Sequence, residues 1–197
     1  MKFSTRELVL LAAFGALWGV VEITLGSVLK SLDVPLSGML LSGVGLLVAL
    51  IARLFVPRRG ATLFVGIIAM LLKLFSLGGV IIGPMMAIFA EALLAELILS
   101  GLGPSRPSFV IAGALGTSWS LIQPFITGPM LMGHSFLEMW QAVINKAARI
   151  LHLPQQSLWL IILLFVGLHL LGGGVAGWLA WPLGHHLQRR SQQQEAR

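Results

Sequence analysis

Three stretches of this chain contain no Asp, Glu, Lys or Arg: Val34 to Ala52, Pro107 to Leu137 and Ile150 to Gln188. An ordinary soluble domain is roughly 25% charged and rarely leaves such gaps. Here 10% of the 197 residues are charged and 57% are hydrophobic, with a mean hydropathy of +0.93. A bilayer-spanning helix needs about 20 mostly apolar residues, and inside hydrocarbon a helix satisfies its own backbone. The two longer stretches exceed one upright span, so parts of them lie at or beyond an interface. A soluble globular protein, a disordered chain and a disulfide-stapled secreted domain are excluded. Cysteine is absent, which removes disulfides and thiolate metal sites. With 23 Gly, 6 Trp and no Tyr, the chain has the small residues and interfacial anchors of packed membrane helices. The net charge of +6 is scattered between apolar runs. It reads as basic loops beside a bilayer and not as a nucleic-acid surface.

Breakers divide the runs: Asp33-Val34-Pro35, the basic turn Val56-Pro57-Arg58-Arg59-Gly60, Ser76-Leu77-Gly78-Gly79, Gly101 to Pro107, Gly128-Pro129 and Leu153-Pro154. The expected fold is an all-α integral membrane protein with six transmembrane helices, at 6–29, 36–55, 61–77, 80–100, 107–127 and 156–187. Residues 1–190 form one transmembrane domain, followed by a polar cytoplasmic tail at 191–197. Six spans put Lys2, Arg6, Arg53, Arg58, Arg59, Arg106, Arg189, Arg190 and Arg197 on one side, and Lys30, Lys146 and Arg149 on the other. The excess of cations marks the cytoplasmic side, which then holds both termini. The first apolar run passes Glu22 without a small-residue cleavage pattern and is read as a retained helix, not a signal peptide. In the long outer loop, Phe136, Trp140, Val143, Ala147 and Ile150 recur at helical spacing behind the capping box Ser135-x-x-Glu138. This predicts an amphipathic helix on the outer face, either inert or a lid over a cavity.

Ionisable groups inside spans are costly and mark function or pairing. At about 1.5 Å of rise per residue, Glu22, Lys73 and Gln123 reach similar outer depths, with Glu91 adjacent. They are expected to line a polar pocket open to the outside; a purely structural pairing of Glu22 or Glu91 with Lys73 is the plainer alternative. Glu91 and Glu96 lie about 140° apart around one helix, so Glu96 is expected to meet other partners. His169 sits near the middle of the sixth span, as a packing residue or a ligand contact. Trp119, Trp140 and Trp159 are candidates for stacking on a ring, with Trp159 more readily an interface anchor, while Trp178 and Trp181 read as anchors on the cytoplasmic side. Ala12-x-x-x-Ala16, Gly15-x-x-x-Gly19 and Gly173-x-x-x-Gly177 mark close helix contacts.

Length, span count, the Ala12 and Ala16 pair, the basic Pro-Arg-Arg-Gly turn, and the segment Gly83-Pro84-Met85-Met86-Ala87-Ile88-Phe89-Ala90-Glu91-Ala92 converge. Together they make the chain similar to the substrate-binding S components of energy-coupling factor (ECF) transporters. The resemblance implies a subunit, not an enzyme, that captures a vitamin, a vitamin precursor or a similar micronutrient. It implies docking through Ala12 and Ala16 onto a transmembrane T subunit served by two cytoplasmic ATPases, in the plasma membrane of a prokaryote. It also implies that outer loops cover the substrate and that the whole subunit topples during transport. No G-x-x-x-x-G-K-[ST] motif occurs, so ATP use falls to the partners. Metal-carrying members begin Met-His; this chain begins Met1-Lys2-Phe3 and its other His residues form no cluster at the outer side, so a metal is not expected, and no cofactor is expected either. Glu22 and Glu91 suit a cationic heterocycle and Lys73 suits a carboxylate, which leaves the substrate's charge open. Three rival classes remain: a secondary transporter acting alone, for which no inverted repeat is seen in the sequence, a ligand-free membrane scaffold, and an intramembrane protease using Ser118 and His169. In the last, Gly116-Thr117-Ser118-Trp119 departs from the G-x-S-G pattern of rhomboid-like enzymes.

Overall fold

The computed structural model describes residues 3–34, 36–76, 82–133, 135–152 and 158–195. All the regular structure among them is helical: α1 (Thr5–Ser31), α2 (Ser37–Phe55), α3 (Ala61–Leu72) with a 3-10 turn at Lys73–Phe75, α4 (Ile82–Leu102), α5 (Arg106–Met132), α6 (Phe136–Leu151) and α7 (Leu158–Glu195). Five of these helices, α1, α2, α4, α5 and α7, are long and apolar enough to cross a membrane. Apolar side chains also cover much of the outside: Leu163, Leu171 and Trp159 are all largely exposed. This architecture fits a membrane-embedded all-α protein.

Small residues bring the helices together. The core is built from Trp18, Leu46, Leu50, Val65, Ile88 and Phe109, interleaved with alanines on α2 to α5 and α7. Gly45 makes room for the Trp18 ring, and Gly66 for Ala92. Without a hydrophobic gradient between protein and lipid, such close approach supplies much of the association energy.

One end of the bundle is tied by charge. Ser4 and Glu7 form a capping box at the start of α1, and Glu7 also pairs with Arg58 at 2.6 Å. Glu96 on α4 accepts from the backbone N–H groups of Gly60 and Thr62 at 2.7 and 3.0 Å, and pairs with Arg53 at 3.5 Å. A carboxylate at the first turn of α3 satisfies donors that the helix cannot pair itself. Arg106 stacks 5.1 Å over Trp178, and Gln188 donates to the Leu54 carbonyl at 2.6 Å. These contacts gather the Arg-rich turns and the end of α7 into one basic end.

The structure departs from the expected spans in three places. The 61–77 run folds into an α-helix of 12 residues before tightening into a 3-10 turn. At about 1.5 Å per residue that α-helix covers about 18 Å, short of the ~30 Å hydrocarbon core. The fifth helix does not stop at Gly128-Pro129 but runs on to Met132. Proline has a helical φ and can sit inside a helix at the loss of one backbone hydrogen bond and some bending; nearby, α5 packs on α6 through Phe125 against Phe136 and Trp140. The sixth run continues as helix to Glu195, so most of the expected tail extends α7. The breaks assigned to Pro35, Leu77 to Gly79 and Leu153-Pro154 lie outside the described residues, as do Lys2 and Arg197.

Candidate functional site

On α1, Gly15, Gly19, Glu22 and Gly26 follow one another by four, three and four residues, a spacing that keeps them on one helix face. That face meets α3 and the turn after it. A methyl group at Gly19 would press on Leu72, and one at Gly26 would stand 3.6 Å from Lys73 Nζ. The missing side chains let the 3-10 turn lie against α1. Lys73 then donates to the Glu22 backbone carbonyl at 2.8 Å and to its carboxylate at 3.3 Å. Both residues are buried.

This pair forms one wall of a cavity of about 530 Å³. Glu22 and Gly26 line it from α1, Leu41 and Ser42 from α2, Ala87, Ile88 and Glu91 from α4, and Ser120 and Gln123 from α5. Glu91 is buried at the cavity wall near Glu22, with Ser42 facing it. The volume falls in the ~300–1,000 Å³ range of small-molecule sites. Gly83 lets the Gln123 amide approach α4, since a methyl there would sit 3.2 Å from its nitrogen.

The structure thus brings Glu22, Lys73, Glu91 and Gln123 onto one cavity, while Trp119, Trp140 and His169 lie off it. His169 lines a second chamber of about 130 Å³, which shares Ser37, Gly38 and Ser120 with the first. Its Nδ1 lies 2.8 Å from the Phe165 carbonyl. Trp140 stacks 6.1 Å from Phe125. Trp119 is half-buried, and its indole N–H has no hydrogen-bond partner among the described residues. Ser118 donates to the Ala114 carbonyl at 2.8 Å, and no hydrogen bond joins it to His169 among the described residues.

Helix α6 carries the Ser135 and Glu138 capping box. Its buried residues include Ile144, Ala147 and Ala148, and the two alanines pack against Ile161 and Phe165 of α7. Val143, Lys146 and Ile150 roof the second chamber. The serines around the main cavity are not among the residues that charge and depth single out. Ser27, Ser31 and Ser120 donate to carbonyls of their own helices. Ser42 does not; it is a buried hydroxyl inside the charge-free run Val34 to Ala52.

No family model matches this chain, and neither a curated protein nor a solved structure matches it.

Proposed function

We propose that this chain is the substrate-binding S component of an ECF-type importer in a prokaryotic plasma membrane. It has six spans, α3 with its 3-10 turn being the shortest, and both termini are cytoplasmic. It captures a vitamin, a vitamin precursor or a similar micronutrient from outside. It passes that solute inward with a T subunit and two ATPases. The observation that carries this proposal is the cavity: four polar residues drawn from α1, α4, α5 and the Lys73 turn converge on a space of small-molecule size. A charged wall at that depth is expensive in a bilayer unless it serves a site or a pair. The cavity lies at the far end of α1 from the basic end, which makes it outward-facing under the positive-inside rule. Helix α6 beside it is the candidate lid. A ligand-free scaffold is the second reading, favoured by the Glu22–Lys73 pair alone.

Native mass spectrometry of the gently purified protein separates the two. A bound solute of a few hundred daltons is expected; a bare chain under every mild condition, with no thermal stabilisation by any vitamin-like compound, rejects the S-component assignment. Docking is tested independently. Ala12 is exposed on the outer face of α1, next to half-buried Ala16. Ala12→Trp and Ala16→Trp are expected to leave solute binding intact and to abolish co-purification with the T subunit. Complex formation by both variants would show that docking uses another face.

A further inference from the structure

The charges lining the cavity do not balance. Lys73 is already engaged, by the Glu22 carboxylate at 3.3 Å and by its carbonyl at 2.8 Å. Glu91 has no basic partner among the described residues, and the acidic Glu22 lies near it. A buried carboxylate without a counter-ion is one of the most expensive groups a protein can hold. Beside it lies the Ser42 hydroxyl, 2% exposed, lining the same cavity and facing the Glu91 carboxylate, with no other partner among the described residues. An acidic side chain without a basic partner and the hydroxyl that faces it thus open together onto one space of small-molecule size.

We infer that Glu91 and Ser42 are the recognition point for a positively charged group. Resting on the importer assignment above, this makes the solute a small organic cation or protonated amine, not a carboxylate. The paired Lys73 then acts as a fixed wall, not as an anion hook. An arriving cation would hold Glu91 in its ionised form and supply the counter-ion, while a carboxylate would meet two acidic side chains and a lysine already in use. Recognition by relief of an unpaired buried group also gives strong discrimination, because a neutral analogue leaves that group unpaired.

The test uses the purified full-length chain in detergent. Native mass spectrometry gives the mass, and so the identity, of any co-purified solute. Calorimetry then compares thiamine and choline, which are permanent cations, with biotin and pantothenate, which are carboxylates. A cationic solute or probe is expected to bind, with Glu91→Gln weakening it about tenfold or more and Ser42→Ala about threefold or more. Ser42→Ala removes a single hydroxyl and guards against a Glu91→Gln protein that fails to fold. Binding of carboxylates without cations, or cation binding unchanged in both variants, overturns the inference and leaves the importer assignment standing. Absence of any solute together with silence from all four probes counts against both.

Discussion

Lys73→Met is expected to destabilise the protein by about 3–5 kcal/mol, the cost of stranding one member of a buried ion pair. Lys73 and Glu22 are 9% and 6% exposed, so little water reaches the carboxylate that remains. The lysine also donates to the Glu22 backbone carbonyl, and that bond is lost with it. The pair itself adds little net stability, since its attraction is spent on desolvating both ions. The double variant Glu22→Gln/Lys73→Met removes both charges together and is therefore expected to recover most of the loss. Thermal unfolding of the three proteins in one detergent measures this directly. Equal instability of the single and double variants would mean that Lys73 acts through packing and not through charge.

The same pair marks how far residue order alone reaches. Helical rise is constant, so depth along each span follows from residue counting, and Glu22, Lys73, Glu91 and Gln123 emerge together. Rotation about the helix axis is not set in that way. Helices α1, α4 and α7 are apolar nearly all round, and in such helices no polar face tells inside from outside. Counting residues therefore leaves open which carboxylate takes Lys73, and it does not place Trp119 and His169 away from the main cavity. Ser42 is hard to single out because a hydroxyl in an apolar run is normally tied to its own helix, as Ser27 is. Helix α6 is the opposite case: strongly two-faced and capped by Ser135 and Glu138, it is readable from spacing and cap alone. Pro129 points the wrong way because proline's helix-breaking tendency is local, while the packing of α5 against α6 is tertiary.

Two glycines on α7 are expected to respond to the same substitution with opposite signs. At Gly177 an added Cβ would fall 3.0 Å from Val110 Cα and closer still to the Phe109 backbone carbonyl. Across the contact, a Cβ at Gly113 would stand 3.1 Å from Gly177 Cα. Here α5 and α7 meet backbone to backbone, and main chain cannot yield as a flexible side chain does. Gly177→Ala must push the helices apart, at a cost near the top of the about 1–3 kcal/mol range for overpacking or beyond it. At Gly174 the added Cβ would lie 3.7 Å from Val110 Cγ1 and 4.0 Å from Ala114 Cβ, which is ordinary contact. Gly174→Ala therefore keeps the interface and gains up to about 1 kcal/mol of helix propensity. Thermal midpoints falling for Gly177→Ala and rising or holding for Gly174→Ala would place the α5–α7 crossing at Gly113 and Gly177. Equal losses in both would move it. The consequence reaches the site: α5 supplies Ser120 and Gln123 to the main cavity, and α7 supplies His169 to the chamber beside it. A displaced crossing is thus expected to lower solute affinity from a position that touches neither space.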